Sequence, residues 1–321
     1  MAYKTIKHFV TGTLLVSLVA LTSLLVPAIY SATAQTPATT AEDLIYAPRG
    51  ADTCLTCHNN PTVTPILSSK HGNRSDPRTP FANHDCESCH GASPTHYQAL
   101  QSPTVVFGES GGRFPASTVA AQNQMCLTCH ESGQRLHWAS SEHQFADLSC
   151  VTCHQIHASQ SSVPQGLEST KLCLSCHLEK RAQIAQRSHH PLNEGLMTCT
   201  NCHNPHGSET VSLLAKASVN DTCIECHTEK RGPFLWEHEP VTDDCTNCHN
   251  PHGSTQSRLL TVRPPFLCQT CHSDAFHPST LYSGLDTPPN GAGQTVLGSS
   301  CTNCHSQIHG SNHPSGSRFT R

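Results

Sequence analysis

Residues 218–254 read SVNDTCIECHTEKRGPFLWEHEPVTDDCTNCHNPHGS, and the pattern Cys-x-x-Cys-His stands in them twice, at Cys223 and Cys245. Outward from there the pattern recurs along the whole chain. Motifs 1 to 5 are Cys54/Cys57/His58, Cys86/Cys89/His90, Cys126/Cys129/His130, Cys150/Cys153/His154 and Cys173/Cys176/His177. Motifs 6 to 10 are Cys199/Cys202/His203, Cys223/Cys226/His227, Cys245/Cys248/His249, Cys268/Cys271/His272 and Cys301/Cys304/His305. Ten motifs consume all 20 cysteines of the 321 residues. This spacing is the attachment signature of c-type haem. Two thiols add to the two vinyl groups of one porphyrin, and the adjacent histidine then lies under the iron as its proximal ligand.

Other uses of cysteine fit poorly. A redox dithiol occurs singly on a βαβ unit. Zinc sites do not require a histidine after every second cysteine. Structural disulfides do not hold a two-residue gap ten times. The expected cofactors are therefore ten c-type haems with their iron.

Composition points the same way. Aromatic residues make up 5% of the chain, and there are 19 glycines and 22 prolines. An ordinary protein core is hard to build from that, so bound cofactors must supply much of the apolar interior. No basic stripe suggests a nucleic-acid partner.

At the N-terminus Lys4, Lys7 and His8 precede an apolar stretch from Phe9 to about Tyr30, which ends in Ala32-Thr33-Ala34. That is the layout of a secretory signal peptide. An uncleaved membrane anchor is the other reading of the run, but the small-residue site and Pro27 favour removal. The expected organisation is a cleaved signal peptide at 1–34, a linker at 35–49, haems 1–5 on 50–191, haems 6–10 on 192–313 and a tail at 314–321. An equal alternative is five units of two motifs each, starting at Cys54, Cys126, Cys173, Cys223 and Cys268.

The five-unit reading sorts the remaining histidines. Outside the motifs and signal peptide there are 14. After the first motif of each unit comes a histidine at a distance: His71, His143, His190, His238 and His277. After the second motif comes one close by: His96, His157, His206, His252 and His309. These ten are the expected distal ligands, and some reach neighbouring irons rather than the nearest one. His84, His137, His189 and His313 are left over. Two imidazoles per iron leave no axial position for substrate, and the absence of an axial methionine implies low potentials.

Periodicities of 2 and 3.6 are faint. The expected fold is a multihaem cytochrome with little regular secondary structure, its short α-helices and loops wrapped around an elongated haem stack. Segments 102–117 and 285–300 read as loops. Asp221-Thr222 reads as a helix start and Lys230-Arg231-Gly232 as a stop.

Residues 218–254, together with 300–316 (SCTNCHSQIHGSNHPSG), resemble the periplasmic decahaem cytochromes of the MtrA/DmsE/MtoA family, and the likeness extends over about 50–316. The resemblance implies an electron carrier with no catalysis of its own, a staggered chain of haems threaded into an outer-membrane β-barrel porin. Its implied partners are a periplasmic or inner-membrane multihaem cytochrome on one side, and an extracellular multihaem cytochrome or a mineral or metal donor or acceptor on the other. The implied location is periplasmic, tied to the outer membrane through the barrel. The role it implies is metal oxide reduction or ferrous iron oxidation. A soluble periplasmic shuttle is the rival reading, and a multihaem reductase, needing one open iron, is a further one.

Overall fold

A computed structural model describes residues 45–109, 113–158, 165–272, 301–303 and 305–320. The expected signal peptide, residues 35–44 of the linker, the loop at 285–300, His277 and Cys304 lie outside the described residues.

The local rule of the fold is one helical turn per motif. In motifs 2 to 10 the histidine N–H donates to the carbonyl of the first cysteine at 2.9–3.1 Å. Residues i, i+3 and i+4 of such a turn share one face, so both thiols and the imidazole are presented together. Among the described residues the α-helical segments are α1 (Ala51–His58), α2 (Glu87–His90), α3 (Pro94–Ala99), α4 (Val119–Leu127), α5 (Glu142–Phe145) and α6 (Cys150–Cys153). The rest are α7 (Gly166–Leu174), α8 (Leu178–Ile184), α9 (Val219–Ile224), α10 (Glu239–Asp243) and α11 (Phe266–Gln269). Odd motifs sit in α1 or at the ends of α4, α7, α9 and α11. Even motifs sit on α2, α6 and the 3₁₀ turns Cys199–Asn201, Cys245–Asn247 and Cys301–Asn303. No β-strand is present among the described residues, only four isolated bridges. The architecture is thus the helix-and-loop fold of a multihaem cytochrome.

The expected start of the helix before motif 7 is displaced. Ser218 is the N-cap, its hydroxyl accepting from Asp221 N–H at 3.0 Å and donating to the Asp221 carboxylate at 2.7 Å. The serine satisfies an orphan N–H of the first turn three residues before Asp221. The helix then ends at Ile224, and Thr228–Lys230 is a separate 3₁₀ turn.

Within a unit, the residue three before the first cysteine ties the two motifs together. Asn123 accepts from Cys150 N–H at 2.8 Å and donates to Leu148 O at 3.1 Å. Asn220 repeats this with Cys245 N–H at 2.8 Å and the carbonyls of Val241 and Thr242. In the first unit Asp85 accepts from Ala51 N–H at 3.0 Å, and buried Glu87 receives Ala47 N–H at 2.6 Å and Ser93 N–H at 2.9 Å. Apolar burial is sparse. One cluster forms around Ala51, Ile66 and Phe81, and the largest fully buried side chains are polar, Thr170 and Ser141.

Between units the contact is a short antiparallel bridge. Ser188 pairs with Ser254, and Trp236 with Ser311, each by two main-chain bonds of 2.8–2.9 Å. Close approach here demands glycine. A Cβ on Gly253 would be driven into the carbonyl of Gln183, and one on Gly207 into that of His137. Both glycines also hold positive φ, which side-chain-bearing residues rarely adopt.

Asn123→Ala leaves the Cys150 N–H without its acceptor at a buried position. The expected cost is about 1–3 kcal/mol, read as a lower midpoint in thermal unfolding of the haem-loaded protein. An unchanged midpoint would show that the clamp contributes nothing.

Candidate haem-binding site

Histidine rings face each other in pairs across repeat units. Nine pairs have ring centroids 5.9–6.3 Å apart, each joining a motif histidine to one outside the motifs. They are His58/His96, His90/His157, His130/His71, His154/His206, His177/His143, His203/His252, His227/His190, His249/His309 and His272/His238. The partners obey a rule. The histidine trailing an odd motif is carried forward to the next odd motif, and the one trailing an even motif is carried back to the preceding even motif. His96, at the chain's beginning, turns to motif 1 instead.

The spacing tests what can lie between the rings. Two imidazoles bound to opposite faces of one metal, each through a bond of about 2 Å, place their centroids about 6 Å apart. Rings in direct contact stack closer, as Tyr46 and His84 do at 3.7 Å and 2°. The nearly parallel pairs His203/His252 (12°) and His249/His309 (17°) are 5.9 and 6.1 Å apart, one atomic layer too far for stacking. Among the described residues, no three side chains of His, Cys, Asp or Glu converge on a metal site. A metal held by two histidines needs its other ligands from a cofactor, and a porphyrin supplies four in a plane. The residues present fit haem.

Ring orientation is set from behind. A histidine that binds metal through one nitrogen donates the other N–H to a fixed acceptor. Among the motif histidines, the Nδ1 of His90 lies 3.2 Å from Val105 O, of His203 2.7 Å from Ser212 O and of His249 2.8 Å from Arg258 O, and that of His305 meets Arg318 O. Among the others, His96 meets Gln101 O at 2.6 Å, His143 Pro205 O at 2.7 Å, His190 Pro251 O at 2.8 Å and His238 Ile308 O at 3.0 Å. Pro205, Pro251 and Ile308 immediately precede His206, His252 and His309. One segment thus supplies a ring to the even motif and an acceptor to the histidine that faces the next odd motif. The carbonyls of Ser212 and Arg258 are aimed by left-handed turns at Ser212-Leu213 and Arg258-Leu259, strained positions for residues with side chains.

In seven of the imidazoles burial favours the neutral form, the one that binds metal. It is the leading cause that lowers the basicity of His90, His130, His154, His157, His206 and His309, and it pushes His252 down to about 4, with Lys180 adding to the effect. His189 goes the other way. Its hydrogen bond to Gln186 O, then the Glu194 carboxylate at 3.2 Å, raise it. His84 stacks on Tyr46, His137 lies 3.9 Å from Glu209, and His313 accepts from Ser315 N–H.

The thiols continue the order. In each unit the first cysteines of the two motifs are in contact: Cys54 with Cys86, Cys126 with Cys150, Cys173 with Cys199, Cys223 with Cys245 and Cys268 with Cys301. That contact is the main cause raising the Cys54, Cys126 and Cys173 thiols, and burial leads for Cys223 and Cys268. Between units the second cysteines lie within electrostatic reach: Cys89 and Cys129, Cys153 and Cys176, Cys202 and Cys226, Cys248 and Cys271. Each motif therefore neighbours the next, in chain order and without a break.

Cys57 departs from this order. It is exposed, as Cys129, Cys153, Cys176, Cys226 and Cys271 also are, with the Thr56 hydroxyl 3.8 Å away, but it has no place in the pairs of second cysteines above. The reason is its place in the chain. No unit precedes motif 1, so no earlier second cysteine comes toward Cys57, and motif 1 joins the succession through Cys54 alone. Cys57 still shares helix α1 with Cys54 and His58, so the local geometry of the motif is kept.

Comparison with known proteins agrees with this geometry. Residues 189–232 and 238–277 match the doubled CXXCH motif family, and residues 86–171 match the NrfB-like c-type cytochromes. The multihaem cytochrome MtrA of Shewanella baltica is 44% identical over 281 residues, 86% of this chain and 83% of that protein. The chain belongs to the MtrA family of multihaem cytochromes. The c-type cytochrome NrfB of Escherichia coli O6:H1 is 31% identical to the cytochrome over 156 residues, 46% of this chain and 77% of the relative. That of Haemophilus influenzae is 31% identical over 108 residues, 32% of this chain and 47% of the relative. The family is one of c-type haem and electron transport.

Sequence reading missed the acceptors behind the rings. One signal was available: Leu213-Leu214 and Leu259-Leu260 follow His203 and His249 at the same distance, which marks a repeated turn.

Ring rotation makes the cytochrome's pairs spectroscopically distinct. His71 and His130 cross at 86°, whereas His203 and His252 lie at 12°. Crossed rings leave the iron π orbitals nearly degenerate, so the most anisotropic low-spin EPR signal is expected from motif 3. His71→Ala should remove that signal and spare the rhombic ones; loss of a rhombic signal instead would refute the pairing.

Proposed function

We propose that this chain carries ten c-type haems, each held between two histidines, and passes electrons along them across the periplasm and outer membrane. In this reading it sits inside a β-barrel porin and joins a periplasmic or inner-membrane multihaem cytochrome to an extracellular cytochrome, mineral or metal. The observation that carries it is the unbroken succession of histidine pairs and cysteine contacts. Both cysteines of each motif are attachment thiols, the exposed Cys57 included. Motif histidines are the proximal ligands, and His71, His96, His143, His157, His190, His206, His238, His252 and His309 are the distal ones. His277 is left for His305, closing the far end of the chain as His96 closes the near one.

Bound haem supplies a one-electron iron couple at each motif. The residues hold and orient it. Paired imidazoles would hold the iron from both sides and leave no room for substrate, which favours a carrier over a reductase, and hydrogen bonds behind the rings would limit movement when the charge changes. Covalent attachment lets ten cofactors pack where few apolar side chains are available.

The barrel reading has a physical basis. Among the described residues no helix is long and apolar enough to cross a membrane. Irregular, hydrogen-bond-rich backbone cannot face lipid, but it can lie inside a barrel lumen.

Tagged cytochrome extracted from outer membranes in mild detergent should bring down a stoichiometric β-barrel protein with the haem colour. Recovery of all haem protein in the soluble periplasmic fraction without a barrel would favour the shuttle. The reduced protein should bind almost no carbon monoxide, and substantial binding by one haem would revive the reductase reading.

A further inference from the structure

Arg135 is out of place in a protein-only account of its surroundings. Its Nε is buried and meets no hydrogen-bond acceptor, and its guanidinium pairs with no carboxylate among the described residues. The residue is only half-buried, but a buried N–H left without an acceptor is costly. The side chain lies within electrostatic reach of three rings: His130 of motif 3, and His154 and His206 of motif 4. The Nδ1 of His206 is likewise buried and unpartnered. Two orphaned polar groups in one neighbourhood, one on a ring of the His154/His206 pair and one on the cation within its electrostatic reach, call for an acceptor that carries negative charge.

The neighbouring units show the contrast. After motif 5, Lys180 acts on His252, and after motif 7, Lys230 acts on His309, as Arg135 acts on His206. Yet Lys180 is 3.4 Å from Glu179, and Lys230 is 3.9 Å from Glu229. Those cations are offset by their own acids, and Arg135 is not. Haem brings two propionate carboxylates, and an arginine fork matches carboxylate geometry.

We propose that Arg135 is the counter-ion of a haem propionate at the junction of motifs 3 and 4, and that its charge raises the local reduction potential above that at motifs 6 and 8. A cation favours the reduced iron, which carries one positive charge fewer. Arg135 is a positioning residue here, acting through the propionate and not on the iron. The proposal rests on the two-histidine ligation read above, which is measured separately below.

The test is redox titration of the full haem-loaded protein carrying Arg135→Gln, with Lys180→Gln as comparison. Haem content and low-spin EPR report whether ligation is intact, so failed ligation is seen apart from failed charge pairing. With ligation intact, R135Q should shift one redox component about tenfold toward the oxidised form, about 59 mV for a one-electron couple. K180Q should shift its component by much less. Unchanged potentials in R135Q, or an equal shift in K180Q, would overturn the proposal. If R135Q does not load its haems, Arg135→Lys takes its place: losing the fork should lower the same component by a factor of a few, and no shift overturns the proposal.

Discussion

The structure depends on one requirement: nine of the ten motif histidines face a second imidazole at about 6 Å among the described residues, and with rare exception that partner comes from another repeat unit. A motif can be made locally, since one helical turn presents two thiols and an imidazole. The second imidazole cannot. Meeting the requirement therefore interlocks the units, with odd motifs served from before and even motifs from after. The inter-unit bridges at Ser188/Ser254 and Trp236/Ser311 lie two residues from the histidines they position. Gly207 and Gly253 stand where the approaching backbones leave no space for a side chain.

This arrangement explains how a chain with so few buried apolar side chains holds a definite fold. Most of its order comes from directed contacts: carboxamide clamps inside units, main-chain bridges between them, and carbonyls placed behind rings. Hydrogen bonds of this kind contribute modestly one by one, but they constrain direction, which an apolar core does not. Direction is what ligation of a metal by two rings requires. The strained turns at Ser212-Leu213 and Arg258-Leu259 fit this view, since they aim carbonyls at imidazole nitrogens instead of burying surface.

Alternation gives the chain two kinds of junction. Inside a unit the first cysteines touch. Between units the second cysteines approach, and one segment carries both a ring facing an even motif and the carbonyl behind the ring facing the next odd motif. Charge is not repeated so evenly. Among the described residues, the cation after motif 3 stands without the acid that accompanies its counterparts after motifs 5 and 7. A chain of otherwise similar sites can thus acquire an uneven potential profile through single side chains at the junctions.

Much was legible from residues alone. Attachment chemistry, the number of motifs and the pool of candidate histidines follow from covalent spacing, because Cys-x-x-Cys-His is satisfied within one turn and needs no tertiary information. The scarcity of regular structure follows from weak periodicity and abundant glycine and proline. The helix start at Ser218 was misplaced because a cap is chosen by which hydroxyl reaches the third N–H, and Asp221 is equally plausible in sequence. The approach of second cysteines between units was not legible either, since ten identical motifs do not reveal which of them become neighbours. Only the tertiary structure decided which histidine faces which. His190 and His189 are adjacent and identical in type. One turns toward His227 with its Nδ1 on Pro251, and the other toward Glu194. Repeat spacing singles out His190 as the candidate, but which ring it faces is decided only in the fold, because the acceptor behind it lies some sixty residues away and comes within reach only when the units interlock.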